Sequence, residues 1–378
     1  MFSKIRSISV LAAAGALAVV TAGGAQAAAG WQQEPVPVPA GDILALTGVA
    51  PHVTWAAGFE VTSTGGRTER VNPVVLSRDD RTGQGWQRVA TPGDTVSSRA
   101  NAISAHGKDD VWVVGDNDSG TPVVYGTPIF TEHWDGHAWK SAPAPVPSDA
   151  LAGNLLGVST LNQHDAWAVG AVQRVSGSVS TEESMIEHWD GASWHAVPLP
   201  TDPAATYLSS ITASGPNDVW AAGSLNQQMV ILHFDGKTWS QVPNLPTAAG
   251  GSEFDTIAAD GPNDVWAAGD SGTASGPLVE HFDGHRWTQV AAPGTGEIFA
   301  VAETRSGTAF IGYTRNTGAP YGEAYDGRTW TDLNLPALGV FDSPYGAVAD
   351  DGTLTVSGAY DTTDGAMHPL MVSRPYNH

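Results

Sequence analysis

The sequence contains no cysteine among its 378 residues. That absence excludes disulfide bonds, thiol catalysis and thiolate metal sites. A chain of this length can bury an adequate core without disulfides, so the composition favours one large domain or a closed repeat. Charged residues are also scarce at 15% of the chain, below the roughly 25% usual for soluble domains.

Basic residues are especially few, with 17 Lys and Arg against 39 Asp and Glu and a net charge of −22. Nucleic acids and anionic membrane surfaces are bound through basic faces, so the sequence argues against both as partners. The acidic balance suits a cationic ligand or a metal. Long apolar runs are missing after residue 27, so we expect no membrane insertion.

The first 27 residues have the pattern of a secretory signal peptide. Lys4 and Arg6 form a basic start, residues 8–20 are mostly apolar, and "AQA" at 25–27 is a small-residue cleavage site. The sequence therefore predicts a signal peptide at 1–27 and a secreted, extracellular protein.

The rest of the chain shows no helical periodicity of apolar residues. It consists of repeated units that are similar in sequence. Each unit has an apolar run, a "DVWAAG"-like strand, an "EHWDGxxW" segment and a Pro-rich exit. Four short strands per roughly 45–50 residues are typical of a β-propeller blade. We name these strands A to D, and in the third unit we expect them at 155–161, 166–172, 185–189 and 194–199.

The repeat count predicts seven blades, of which the last lacks its own strand D. The segment "WQQEPVPVP" at 31–39 matches "WKSAPAPVP" at 139–147, where a strand D is expected. We therefore expect 31–39 to complete the seventh blade with 345–378, which removes two free sheet edges. The predicted fold is all-β, a single seven-bladed β-propeller domain of four-stranded antiparallel blades over 28–378.

The units resemble kelch-like propellers, whose blades carry a Gly-ending second strand, an aromatic-Asp turn and a Trp, as in "YDGRTW" at 325–330. They are more similar still to secreted repeat proteins of high-G+C bacteria with "NDVWAVG" and "HWNGTSW" units. Most blades lack the Gly-Gly pair of kelch repeats, and no residue separates Asp from Gly as in the sialidase Asp-box. The resemblance covers nearly all of 28–378 and implies a fold, since such families include lectins, scaffolds and enzymes.

The repeated "EHWDG" segment has the residue types of a catalytic or metal site, yet its repetition favours a structural role. Equivalent positions of successive blades lie far apart around a ring and cannot converge on one ligand. We expect His133, His188, His233 and His281 to be buried between blades and bonded to the neighbouring blade. In the turn, Asp should accept backbone N–H groups, Gly should adopt a positive φ, and the Trp should pack across the hairpin.

Function is expected where the repeat is broken, on the rim that the B–C and D–A connections share. The B–C connections 59–73, 116–128 and 171–184 are long, which predicts a loop-rich rim. The candidate ligand-binding residues at the starts of strands A are Asp42, Arg99, Asn101, Asn154, Tyr207, Glu253, Asp255 and Tyr345, with Glu297 and Asp342 beside them. Such a set can hold a sugar or a cationic group, and a solvated acidic rim is the alternative.

The segment "DNDSG" places Asp116, Asn117 and Asp118 together before a Gly. Oxygen ligands on a loop suit Ca²⁺, although the downstream bidentate Glu of an EF-hand is missing. A Ca²⁺ site and a plain Asp-rich turn are therefore the two interpretations, and no other cofactor is predicted.

Catalytic motifs such as G-x-S-x-G, H-E-x-x-H and the P-loop are missing. The favoured function is non-enzymatic binding of a glycan or an extracellular protein at a propeller rim. One alternative is an extracellular carbohydrate-active hydrolase or lyase with acids such as Glu253 and Asp255 at the channel mouth. Another is a structural subunit of an extracellular assembly.

Overall fold

The structure is a computed structural model, and it describes residues 30–63, 69–95, 97–116, 125–176, 179–246, 251–273, 276–315 and 317–376. Within these ranges the strands form seven four-stranded antiparallel sheets, one for each blade. Two short 3-10 helices, Asp80–Thr82 and Pro92–Thr95, lie between strands. Across the described ranges, no helix has the length and hydropathy of a membrane span. The prediction of an all-β seven-bladed propeller is confirmed.

The chain enters the fold through β1 (Gln32–Gln33), which belongs to blade 7. Blade 1 contains β2 (Gly41–Ala50), β3 (Val53–Ser63), β4 (Glu69–Asp79) and β5 (Gln84–Val89). Blade 2 contains β6 (Ala100–Ala105), β7 (Val111–Gly115), β8 (Thr131–Trp134) and β9 (Trp139–Ser141). Blade 3 contains β10 (Ala150–Asn162), β11 (Asp165–Ser176), β12 (Val179–Trp189) and β13 (Trp194–Val197).

The second half of the ring follows the same plan. Blade 4 contains β14 (Thr206–Gly215), β15 (Asp218–Leu225), β16 (Gln228–Phe234) and β17 (Trp239–Gln241). Blade 5 contains β18 (Glu253–Gly261), β19 (Asp264–Asp270), β20 (Pro277–Phe282) and β21 (Trp287–Gln289). Blade 6 contains β22 (Gly296–Thr304), β23 (Gly307–Thr314), β24 (Ala319–Tyr325) and β25 (Trp330–Asp332). Blade 7 contains β26 (Phe341–Asp350), β27 (Thr353–Asp361), β28 (Met367–Pro375) and β1.

The innermost strands contact one another in sequence and close the ring. The successive contacts join β2, β6, β10, β14, β18, β22 and β26, and β26 contacts β2 again. The core lies between blades: Trp167 and Val169 of blade 3, for example, pack against Leu208 and Ile211 of blade 4. Because both faces of each blade are covered in this way, strands B are apolar at nearly every position.

A β-bulge occurs at the same place in every strand A. It follows the residue that pairs with the glycine of the "W-x-x-G" strand. The bulged residues are Leu44, Asn101, Leu156, Ser209, Asp255, Phe299 and Tyr345. The bulge brings the strand A backbone close to the glycine: a Cβ on Gly223 would lie 1.9 Å from the carbonyl oxygen of Tyr207. The repeated glycine is therefore required by this close approach.

Replacing Gly223 with alanine should destabilise the protein by about 3 kcal/mol, because the backbone of strand A must move to admit the methyl group. Gly215 in the same blade is a matched control, since a Cβ there meets no atom within 4 Å. Chemical denaturation of the two variants measures the difference. Equal stability of Gly223→Ala and Gly215→Ala would contradict the close approach.

The N-terminal segment completes blade 7, as predicted. β1 pairs antiparallel with β28, and Glu34 donates its backbone N–H to the carbonyl of Met371 at 2.8 Å. Trp31 fills the tryptophan place of strand D, where it is buried and donates its indole N–H to the carbonyl of Leu333 in blade 6 at 2.8 Å. Val38 packs between blades 7 and 1. Closure of the ring by the N-terminal strand is confirmed.

Two strands define how this blade is completed. The strand ladder of the N-terminal segment spans Gln32–Gln33, because prolines occupy alternate positions from 35 to 39 and have no N–H to donate. Strand A of the seventh blade begins at Phe341.

The predicted loop-rich rim is replaced by β-hairpins in two blades. β3 and β4 continue to pair out to Ser63 and Glu69, and β11 and β12 out to Ser176 and Val179. Two of the three long connections therefore continue the blade, and the Val and Thr residues that they contain favour the extended ladder. Residues 117–124 of the third connection lie outside the described residues.

Candidate functional site

The repeated histidines take part in four separate stacks on the rim opposite the B–C connections. Each His is directly cross-strand from a strand B Trp, with ring centroids 3.8–4.3 Å apart. Each His Nε2 lies 2.7–3.0 Å from the Oδ1 of an Asp. The sets are Trp112, His133 and Asp110; Trp167, His188 and Asp165; Trp220, His233 and Asp218; Trp266, His281 and Asp264.

The structural role of these histidines is supported, with two corrections. The four side chains are partly buried, with 12–30% exposure, and not fully buried. The hydrogen-bond partner of each His lies in its own blade, at the start of strand B, and not in the neighbouring blade. The reason is that the A–B turn and the end of strand C meet at the same rim, while the Trp occupies the surface that faces the next blade. The four stacks are therefore repeated parts of the scaffold.

The "WDGxxW" turn also follows the prediction. Asp190 Oδ1 accepts the backbone N–H groups of Ala192 and Ser193 at 2.9 and 3.0 Å, and these bonds lower the pKa of Asp190 to about 2. Gly191 has a φ of 95°. Trp194 packs across the hairpin on Trp189, with ring centroids 5.8 Å apart. Asp190, Gly191 and Trp194 therefore have structural roles in the turn that require no ligand.

Ser193, His195 and Asp190 lie close together in this turn but do not form a catalytic triad. Ser193 Oγ and Asp190 Oδ2 both contact the same atom, Nε2 of His195, at 3.0 and 2.9 Å. A triad needs the acid on one ring nitrogen and the hydroxyl on the other. The cluster therefore lacks the arrangement of acid, imidazole and hydroxyl that a triad requires.

Five of the predicted mouth residues lie on blades 1 to 4, where three of them contact other residues of the chain. Asn101 donates to the Leu155 carbonyl of the next blade at 3.0 Å, and Asn154 accepts the Ala171 N–H at 3.1 Å. Asp42 is buried in β2, and Tyr207 is half-buried in β14. The fifth, Arg99, pairs with the carboxylate of Asp116 at 3.1 Å and lies over the ring of Phe59.

The predicted Ca²⁺ ligands are described only in part. Asp116 accepts the backbone N–H of Arg99 at 2.7 Å in addition to its guanidinium. Asn117 and Asp118 lie outside the described residues. The Ca²⁺ site stays a prediction.

The remaining predicted residues meet new partners at the mouth of the channel on blades 5 to 7. Carboxylate oxygens of Glu253, Asp270 and Glu297 lie within 4.8 Å of one another. Arg315 contacts Glu297 through Nε at 3.0 Å and through Nη2 at 2.9 Å, and it also pairs with Asp270. Burial tends to lower the pKa of Arg315, but the charges of Glu297 and Asp270 raise it above its usual value.

Aromatic side chains adjoin these charges. Phe299 and Tyr313 stack with centroids 5.0 Å apart, and Tyr345 meets Phe299 edge-on at 5.2 Å. Phe341 adds a fourth ring, 5.4 Å from Tyr313. Burial raises the pKa of Tyr313, and the nearby Tyr345, Glu297 and Asp255 raise it further. We name the combined set the blade 5–7 cluster: Glu253, Asp255, Asp270, Glu297, Phe299, Tyr313, Arg315, Phe341 and Tyr345.

The blade 5–7 cluster combines oxygen acceptors with aromatic rings and holds a guanidinium. Three carboxylates at this spacing have the donor atoms of a divalent-cation site, yet Arg315 already pairs with Asp270 and Glu297. Carboxylates beside aromatic faces attract organic cations through ion pairs and cation–π contacts. The arrangement is therefore suited to binding a cationic group.

Glu253, Asp255, Glu297 and Tyr345 were predicted from the sequence, and the other members were not. Asp270 and Tyr313 directly follow the glycine that ends strand B, and they pair with Glu253 and Glu297 across the sheet. That position is occupied in the seven blades by Phe59, Asp116, Ala171, Ser224, Asp270, Tyr313 and Ala359. The variation at this position among the seven units could have identified Asp270 and Tyr313 as candidate site residues.

The described residues expose four large hydrophobic side chains, and two of the four lie in the same hairpin of blade 3. The four are Tyr125, Val175, Val179 and Val340. These belong to three different blades or their connections, so the described residues contain little to support the predicted role as a structural subunit, for which a contiguous apolar patch is expected.

No protein-family model matches the chain, and no curated protein sequence matches it. Among solved structures it is similar to YCF48 bound to D1 peptide, with 16% identity, a TM-score of 0.56 and coverage of 92% of this chain and 97% of that one. A chain in the mitotic checkpoint complex is 12% identical, with a TM-score of 0.58 and full coverage of both.

An acylaminoacyl peptidase of Pyrococcus horikoshii is 9% identical, with a TM-score of 0.56 over 89% of this chain and 52% of that one. At such identities the likeness shows the propeller fold alone.

Proposed function

We propose that the chain is a secreted, non-enzymatic binding propeller whose blade 5–7 cluster receives a basic segment of a protein partner. The observation that carries this proposal is the guanidinium of Arg315, held by two carboxylates beside four aromatic rings. The site has the chemistry that a lysine or arginine side chain of a partner requires.

Charge supports a cationic ligand. The cluster contains four carboxylates and one guanidinium, and Arg315 is 48% exposed at its edge. The whole chain carries a net charge of −22, and such a field raises the rate at which a basic partner meets the protein. Acidic ligands are repelled by the same field.

The known propellers support the class of function and not its details. YCF48 has been seen with a peptide, and the checkpoint chain lies within a protein complex. The secreted location rests on the leader pattern at 1–27, and the kelch-like relationship rests on the repeated motifs alone. Both are parts of the proposal.

The proposal is tested by titrating the protein with acetylated tetralysine, tetraarginine and tetraglutamate peptides. We expect the basic peptides to bind at least about tenfold more tightly than the acidic one, with affinity that falls as salt rises. Equal affinity for tetraglutamate, or basic-peptide binding that is indifferent to salt, would overturn the proposal.

A glycan is the second candidate ligand, because the half-buried rings of Tyr313 and Tyr345 meet edge-on and can form two walls for a sugar. A glycan array with and without EDTA separates the cases. Salt-independent binding of neutral glycans would favour this candidate, and loss with EDTA would support the predicted Ca²⁺ site. The hydrolase alternative has weaker support, since Arg315 already holds two of the carboxylates.

A further inference from the structure

One buried position on strand C differs sharply between blades. It pairs with the residue that follows the Trp place in strand B. Its occupants in blades 1 to 7 are Leu76, Glu132, Glu187, Leu232, Glu280, Glu323 and Val372. Three blades therefore carry an aliphatic side chain where four carry a carboxyl group.

Two of the four carboxyl groups are buried without a hydrogen bond from the described residues to offset the cost of desolvation. Glu187 and Glu280 are 0% exposed, and neither oxygen of either group has a hydrogen-bond partner among the described residues. Glu132 differs, because its Oε1 accepts the backbone N–H of Gly93 at 2.6 Å. A buried, unpaired carboxylate is strongly unfavourable, whereas the neutral acid costs far less.

Glu187 faces blade 2, on the same side of the sheet as its cross-strand neighbour Ala168. The ionisable groups on the facing strands pair among themselves: His133 with Asp110, and Lys140 with Asp135. Glu132 lies on the other face of blade 2, against Gly93. Burial is the cause that raises the pKa of Glu187 to about 8.

Glu280 has the same setting two blades further on. It faces blade 4 beside Ala267. On the facing strands of blade 4, His233 pairs with Asp218 at 2.7 Å. Burial alone raises the pKa of Glu280 to about 8 as well.

We infer that Glu187 and Glu280 form a pH-sensitive device that keeps the interfaces of blades 2–3 and 4–5 closed while both acids are protonated and loosens them when they ionise. Both lie on strands C of the scaffold, apart from the blade 5–7 cluster, so the inference is independent of the proposed ligand.

The direction of the pH effect follows from linkage. An unfolded Glu ionises near its ordinary pKa of 4.5, whereas each folded one stays protonated to about 8. Between these values the folded state binds more protons, so its stability is highest at the acidic end and falls as pH rises. The folding equilibrium constant should drop up to about tenfold per pH unit for each carboxyl.

The test is denaturant unfolding of the wild type and of E187L/E280L from pH 5 to pH 9. Leucine is the chosen replacement because Leu76 and Leu232 occupy the equivalent place in blades 1 and 4. We expect the wild type to lose up to about a hundredfold in folding constant per pH unit between pH 5 and 8, and the variant to be more stable and much flatter. Some slope persists, because burial raises the pKa of Glu303 to about 7.

Two further variants separate the effect of ionisation from the effects of side-chain shape and of a lost hydrogen bond. E187Q/E280Q retains the shape of the side chains and should also flatten the pH profile. E132L should lose stability at every pH, because it orphans the Gly93 N–H. Hydrogen exchange in β12 and β20 should rise with pH in the wild type beyond its intrinsic change. Identical pH slopes in the wild type and both double variants would overturn the inference.

Discussion

Replacing Trp31 and Glu34 with alanine should cost the propeller more stability than any other pair of changes near its termini. Trp31 is 3% exposed in the core between blades 6 and 7, and its truncation should cost about 3–5 kcal/mol. Thermal and denaturant unfolding measure the loss. We expect the double variant to melt well below the wild type.

Glu34 contributes through a network that joins blades 7 and 1. Its Oε2 accepts from Arg78 at 2.5 Å and from the indole of Trp86 at 2.6 Å, and its Oε1 accepts from Ser373. Arg78 is 7% exposed. Removing the carboxylate leaves a buried guanidinium with Asp80 as its remaining charged partner, and breaking a buried pair in this way costs about 3–5 kcal/mol.

Gln33→Ala is the matched control for this prediction. Gln33 lies in the same strand, is exposed, and pairs through its backbone alone. We expect a change below about 0.5 kcal/mol. Deleting residues 28–40 should lower the melting temperature at least as far as the double substitution. An unchanged melt after that deletion would contradict closure by the N-terminal strand.

Arg315→Ala should strengthen binding of acetylated tetralysine by about tenfold, or 1.4 kcal/mol. The guanidinium pairs with Asp270 and Glu297 and competes with an incoming cation for both. Removing it also makes the site more negative, which favours a basic ligand. The measurement is isothermal titration at low salt.

Arg305→Ala is the control for that change. Arg305 belongs to the same blade, is 65% exposed and lies 3.8 Å from Asp351 at the other rim, so its loss should leave the affinity unchanged. Weaker tetralysine binding by Arg315→Ala would contradict competition.

The fold could be predicted from the sequence because the blades repeat the same short-range hairpin and turn residues. The Asp and Gly of the turn, and the Trp that packs across it, specify a hairpin within a few residues. The match of 31–39 to a strand D predicted how the ring closes. The bulge in strand A could not be predicted, although the glycine opposite it, such as Gly223, marks its place.

The candidate site could be predicted only in part, because its members come from three blades. Glu253 and Arg315 are 62 positions apart in the sequence. The strand register places each of them at the same rim of its own blade. The hairpins of blades 1 and 3 were predicted as loops, because Ser, Thr and Gly residues are common in turns. The lack of a hydrogen-bond partner for Glu187 could not be predicted, because it depends on the neighbouring blade.

The most direct test of a cationic ligand at the blade 5–7 cluster compares the affinity of acetylated tetralysine for Glu253→Gln and for Glu182→Gln. Both residues are partly buried glutamates on the same rim, but Glu253 belongs to the blade 5–7 cluster and Glu182 to the hairpin of blade 3. We predict at least about tenfold weaker binding for Glu253→Gln and wild-type binding for Glu182→Gln. Wild-type affinity in both variants, or no binding by the wild type itself, would contradict a cationic ligand at the mouth of blades 5 to 7.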